Sequence, residues 1–261
     1  MTLPFMTANG ISIHYHLAGS AGPPNVVLLH EMGGTLDSWD AVVPELSKRF
    51  RTLRYDQRGA GLTEKPRQQW DNATLVDDLE AVLGELKLGP RFHIVCVAAA
   101  ATQALLLMER HPSWIGRLVF CNPAPGVDAS RAGALEERAG MAEREGMRAS
   151  LPVTLDKSYP PELTDRATYE AYRGRYLAND PVAFGMMNRC FAHTNMMLAL
   201  AKISVPTLVI AGSKDTVRLP KVTEGIARTI PGARYEVIDA GHFMPTTAPG
   251  PLLKLLCEFL A

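Results

Sequence analysis

Phe92-His93-Ile94-Val95-Cys96-Val97-Ala98-Ala99-Ala100-Ala101 is the stretch whose reading decides the fold. Its first six residues form a largely apolar run carrying Ile and Val, the composition of a strand covered on both faces. From about Ala101 the spacing turns helical, and His111-Pro112 stops it after Arg110. A strand that passes directly into a helix through residues this small makes a sharp turn. Such a turn stands one side chain above the carboxyl edge of a sheet. Here that side chain belongs to Ala98, which has no hydroxyl.

Outward from this turn, short runs rich in Val, Ile and Leu alternate with helix-like segments. That rhythm predicts an α/β fold with a mostly parallel, doubly wound sheet. Ile11 to Leu17 alternates as an edge strand does, whereas Asn25 to Leu29 is continuously apolar after its first residue and reads as central. Arg51 to Tyr55, Leu118 to Phe120, Thr207 to Ile210 and Tyr235 to Ile238 complete the strands. Asn72 or Thr74 is expected to cap a helix through Leu86, and a last helix runs from about Pro251 to Leu260. Residues 123–202 differ: they carry helical patterns with Arg, Glu and Met, broken by Pro152 and Pro160-Pro161. The reading is a core of residues 1–122 and 203–261, with 123–202 as a helical lid over the strand ends. Ordinary connecting helices are the alternative.

Composition narrows the partners. Lys+Arg and Asp+Glu both number 27, so no strong field points to nucleic acid or an anionic membrane, and a small molecule fits better. The four cysteines are scattered, three of them in apolar segments, which points to reduced thiols and a cytoplasmic protein. Met1-Thr2-Leu3-Pro4-Phe5 lacks the basic region of a signal peptide, and no apolar stretch approaches the roughly 20 residues that span a bilayer. The seven histidines show no metal-ligand spacing and no phosphate-cradling loop is present, so neither metal nor cofactor is expected. A homodimer is left open.

In open α/β sheets the site lies beyond the carboxyl ends of the strands. His30-Glu31-Met32-Gly33-Gly34-Thr35 follows one strand, Ala98 another, Ala211-Gly212-Ser213-Lys214-Asp215 a third and Asp239-Ala240-Gly241-His242 a fourth. An acid and then a histidine, both late in the chain, match the order nucleophile, acid, base. The chain resembles the α/β-hydrolase superfamily over nearly its full length. The resemblance is carried by Val27-Leu28-Leu29-His30 with Gly33-Gly34 and Trp39, by Tyr55-Asp56-Gln57-Arg58-Gly59-Ala60-Gly61, by Val205 to Gly212 with Asp215, and by Gly241-His242. More loosely, Asp180-Pro181 and Cys190-Phe191-Ala192 resemble the 3-oxoadipate enol-lactonase branch.

The resemblance implies Asp215 as the triad acid, His242 as the base, and the amides of Met32 and Ala99 as the oxyanion hole. The family's serine falls on Ala98, and Cys96 and Ala100 replace the flanking glycines of its G-x-S-x-G turn. A natural remodelled turn accounts for all three residues, and an engineered serine replacement accounts for Ala98 alone. A register with Cys96 as nucleophile would put Ile94 where a small residue is needed. Glu31, Arg189, His193 and Asn195 are candidate substrate contacts, although Glu31 also reads as a solvated loop charge. His30 reads as a brace for the oxyanion loop, Asp56 with Arg58 as a turn pin, and His14 and His16 as solvated. Asn122 stands where some members of the fold place the acid, but an amide cannot serve as one. Three functions follow: hydrolysis of a small ester, lactone or diketone-like substrate through a His242–Asp215 dyad; a cofactor-free oxygenase or lyase using the same dyad; or a non-catalytic binding protein.

Overall fold

Eight strands form one sheet in the computed structural model, which describes residues 4–22 and 24–261. Met1 to Leu3, part of the stretch read for a signal peptide, lie outside the described residues. The strands are β1 (Phe5–Ala8), β2 (Ile11–Ala18), β3 (Asn25–Leu29), β4 (Arg51–Tyr55), β5 (Phe92–Val97), β6 (Ile115–Cys121), β7 (Thr207–Gly212) and β8 (Arg234–Ile238). Their order is β1-β2-β4-β3-β5-β6-β7-β8. β1/β2 and β2/β4 pair antiparallel, and every other neighbour is parallel.

The true edge strand is β1, so β2 lies one position further in than its alternation implied. The hairpin joining them turns through Asn9-Gly10, with φ +46° and +76°. Positive φ at both central residues is what the tight two-residue hairpin demands, and Asn-Gly is its sequence mark. His14 and His16 consequently lose the solvent expected of them. His14 is buried, with Nδ1 2.7 Å from Asp56 Oδ2, and burial of the half-exposed His16 lowers its pKa.

Seven helices of ten or more residues flank the sheet: α1 (Asn72–Glu85), α2 (Ala101–Arg110), α3 (Ala129–Glu145), α4 (Arg166–Leu177), α5 (Pro181–Ala192), α6 (Pro220–Thr229) and α7 (Pro249–Phe259). The α1 cap is Asp71, whose carboxylate accepts from both the backbone N–H and the hydroxyl of Thr74, at 2.8 Å each. Asn72 is instead buried within the helix and exchanges hydrogen bonds with Thr102 of α2. One apolar layer joins α1, α2 and α6 to one face of the sheet through Val27, Leu29, Leu79, Val82, Leu105 and Ile226. The opposite layer gathers Trp39, Leu46, Leu252 and Leu256, and extends into Tyr172, Tyr176 and Phe184 of α4 and α5. Among the described residues no helix is long and apolar enough to cross a membrane.

β3 has β4 on one side and β5 on the other, so the chain switches winding direction there. A crevice opens at the carboxyl ends of β3 and β5, where ligands of such sheets bind. Between β6 and β7 the chain is helical, and α3 is tied to α5 by Arg189, whose guanidinium reaches Glu143 at 2.6 and 2.7 Å and Glu136 at 3.2 Å.

Candidate active site

The turn after β5 is sharp and carries Ala98 at its apex. Val97 is extended, Ala98 swings to φ +50°, and a single 3-10 turn over Ala98–Ala100 leads into α2. The Ala98 carbonyl accepts from the Ala124 N–H at 2.9 Å, which fixes the turn from the far side. A non-glycine residue in this region costs roughly 1–2 kcal/mol. Cys96 is excluded as nucleophile: it lies inside β5, fully buried, and burial pushes its thiol well above the usual range.

Asp215 follows β7 and His242 follows β8. His242 Nδ1 lies 2.6 Å from Asp215 Oδ2, and Asp215 Oδ1 accepts from the backbone N–H groups of Val217 and Arg218 at 2.7 and 2.8 Å. A carboxylate so surrounded by donors assigns the proton to Nδ1 and leaves Nε2 as acceptor. Nε2 has no partner among the described residues, and the ring lines a cavity. Asn122 had no role in the sequence reading beyond being the wrong group for an acid. In the structure its amide donates to the carbonyls of Gly241 and His242, both at 3.0 Å, and its oxygen accepts from the Gly212 N–H at 2.8 Å. It stitches the ends of β6, β7 and the His242 loop together.

The loop after β3 is braced as expected for His30. Its Nδ1 donates to the Glu31 carbonyl at 2.8 Å and its Nε2 accepts from the Gln57 N–H at 3.1 Å. Asp56 accepts from Leu36 N–H and Leu62 N–H, pinning this loop and its own. Arg58 does a different job, gripping Asp78 of α1 at 2.8 and 2.6 Å. The Met32 N–H has no partner among the described residues, and Ala99 lies in the first turn of a helix, where N–H groups lack intrahelical acceptors. Glu31 is no solvated charge. It is 1% exposed, accepts from Ser38 Oγ at 2.7 Å and from Tyr172 Oη at 2.5 Å, and leaves Oε2 unpartnered. Room for its carboxyl exists because Gly34 has no Cβ, which would collide with Oε1.

Glu31, Met32, Ala98, Ala99 and His242 all line one cavity of about 590 Å³. That volume suits a small molecule. From above, Arg138 and Met141 of α3, Tyr176 of α4 and Phe184 of α5 close over it. The three other contacts read from the sequence lie elsewhere. Arg189 is spent on Glu143 and Glu136, His193 is exposed beside Glu136 at 2.9 Å, and Asn195 is exposed and bridges to Gly126. The packing of α3 on α5 turns Arg189 away from the cavity, while His193 and Asn195 follow the end of α5 and face solvent. Arg131 and Arg138, which the sequence reading passed over, face the cavity instead. Among the described residues no three His, Cys, Asp or Glu side chains are grouped to hold a metal.

This mostly parallel eight-stranded sheet, with an acid and then a histidine after its last strands, is that of the α/β-hydrolase class. The sequence pattern of the alpha/beta hydrolase fold family matches residues 24–249, and the chain belongs to that family. The enol-lactonase of Burkholderia xenovorans LB400 superposes with a TM-score of 0.92 at 28% identity, over 98% of this chain and 99% of its own. 3-Oxoadipate enol-lactonase 2 of Acinetobacter baylyi is 21% identical over 94% of this chain and 91% of its own length. The probable oxidoreductase EphD of Mycobacterium bovis is 26% identical over 96% of this chain, which spans only 48% of that protein.

Proposed function

We propose that the chain hydrolyses a small ester or lactone by direct attack of water, with His242 as general base and Asp215 as the residue that orients it. Water adds to the acyl carbon and gives its proton to His242 Nε2. The carbonyl electron pair moves onto oxygen, where the amides of Met32 and Ala99 receive the charge. Collapse expels the alkoxide, which takes the proton back from His242; from a lactone the product is the ring-opened hydroxy acid. No acyl-enzyme forms, because Ala98 offers no nucleophilic atom. Residues 123–202 serve as the lid that keeps bulk water out, and the buried free thiols of Cys96, Cys121 and Cys190 suit a reducing cytoplasm.

The observation that carries this reading is the 2.6 Å His242–Asp215 pair presenting a free Nε2 to the cavity that Ala98 lines. The enol-lactonase relatives support the substrate class. The test compares the protein with Ala98→Ser, His242→Ala and Asp215→Asn on activated esters, enol-lactones and 1,3-diketones. Slow turnover without a burst is expected, abolished by His242→Ala and lowered by up to roughly 10⁴-fold by Asp215→Asn. Turnover indifferent to His242→Ala would sink the proposal. Oxygen uptake would move the dyad to oxygenase chemistry. If ester hydrolysis appears only in Ala98→Ser, the protein is a hydrolase without its nucleophile.

A further inference from the structure

β8 closes one end of the sheet, and its outer side meets no further strand among the described residues. The Ile238 carbonyl accepts from the Ser213 N–H at 2.8 Å, so the backbone polar groups of Ile238 turn inward to β7. Along a strand these groups alternate from side to side. Those of Arg234 and Glu236 therefore also turn inward, whereas those of Tyr235 and Val237 turn outward and meet no partner among the described residues. Such a row is a template for another strand. The side chains sort onto two faces. On one, Arg234 donates to Glu236 and to Glu258 of α7, at 2.8 Å each. On the other, Tyr235 Oη donates to the Pro220 carbonyl at 3.0 Å, and Val237 stands 49% exposed in the groove between α6 and β8.

The charges on β8 are self-complementary in one register. A second copy laid antiparallel places its two-fold axis at Tyr235, Glu236 or Val237, because outward residues must oppose outward residues. An axis at Glu236 sets two carboxylates opposite each other, which is destabilising. An axis at Val237 sets Glu236 against Ile238 and Tyr235 against Asp239, so no opposite charges meet. An axis at Tyr235 sets Arg234 of each copy opposite Glu236 of the other, and Val237 opposite Ala233. The Tyr235 N–H and C=O then exchange bonds across the axis, and the Val237 N–H donates to the Ala233 carbonyl. The Ala233 N–H is already spent on Ile230, at 3.3 Å. With 27 basic and 27 acidic residues, the chain has no net charge to hold two copies apart.

We propose that two copies of this chain join through β8, antiparallel about Tyr235, so that one sheet continues across the pair. The inference is independent of how the cavity is used. Sedimentation velocity of the whole protein across micromolar concentrations should show a monomer–dimer equilibrium, with amide exchange at Tyr235 and Val237 slowing as the dimer fills. Arg234→Glu alone opposes carboxylates and Glu236→Arg alone opposes guanidiniums, so each should weaken the dimer by about tenfold or more. An equimolar mixture of these two variants should recover it, since their altered charges then face each other in opposite pairs. Val237→Pro removes an outward N–H but no bond to β7, and should weaken the dimer as well. Circular dichroism confirms the fold of each variant. A chain monomeric at every concentration, which would leave β8 bare or open to a different partner, overturns the proposal. So does a dimer indifferent to both charge variants, or a mixture that associates no better than either variant alone.

Discussion

The floor and the roof of the cavity are held in different ways. On the floor, Met32, Ala98, Asp215 and His242 each follow a strand by a few residues; Asp56, His30 and Asn122 lock three of these loops with buried hydrogen bonds, and the Ala124 N–H holds the Ala98 turn. On the roof, Arg138, Tyr176 and Phe184 belong to helices packed through Ala142, Tyr172, Tyr176 and Phe184 and tied by half-exposed pairs such as Arg189–Glu143, which contribute only about 0–1 kcal/mol each. Side-chain bonds cross the seam from Tyr172 Oη to Glu31, Asn179 to the Gly33 carbonyl at 2.9 Å and Arg138 to Met32, and further out from Arg67 to Asp180, Gln69 to the Met186 carbonyl and Thr216 to the Lys157 carbonyl. The contrast teaches that reaction geometry is written into backbone turns, while recognition is left to side chains on a layer held down mainly by side-chain bonds.

If the sheet beneath the floor carries the stability, its titration should dominate acid sensitivity. Burial in β5, with Arg117 nearby, lowers His93 to about 4 from 6.5. Because the unfolded chain takes up this proton first, the contribution is full above pH ~6.5 and is lost progressively toward pH 4, by roughly 3 kcal/mol. Chemical denaturation across pH should show this limb and show it flattened in His93→Phe. A limb unchanged in that variant would place the sensitive groups elsewhere and break the contrast.

The seam is tested next. Glu31→Ala strands the Tyr172 hydroxyl, which is buried, and is expected to cost about 2 kcal/mol. Amide exchange should rise in α4 and leave β3 and β5 protected, with Glu31→Gln closer to the parent. Uniform loss of protection would mean floor and roof are one cooperative unit. The smallest effect concerns the elbow. Ala98→Gly removes a left-handed penalty and adds unfolded-state entropy, for a net gain of about 0.5–1 kcal/mol in urea unfolding. A loss there would show that the Ala98 methyl is packed to advantage.

The floor was largely legible in the sequence because strand-end motifs are local. A continuous apolar run fixes a strand, and whatever follows it must stand at the sheet's carboxyl edge; β3, β4 and α2 fall where the pattern put them. Asn9-Gly10 marks the β1–β2 hairpin equally locally. The burial of Glu31 is not legible in this way, because nothing local reveals that Gly34, Ser38 and Tyr172 enclose it; Tyr172 lies 141 residues away. The roof was illegible for the same reason. Which arginine of a helix faces the cavity depends on how α3 meets α5, and that packing turned Arg189 outward and Arg138 inward.

The sequence by itself determined the parallel part of the sheet, the order of acid and histidine, and the absence of a hydroxyl at residue 98, since each follows from residue type and short-range period. The tertiary structure alone decided that Ala98 still holds a left-handed turn, that Glu31 is buried, and that Arg131 and Arg138 face the cavity. Those outcomes depend on close packing and charge pairing between segments far apart in the chain, which no local pattern encodes.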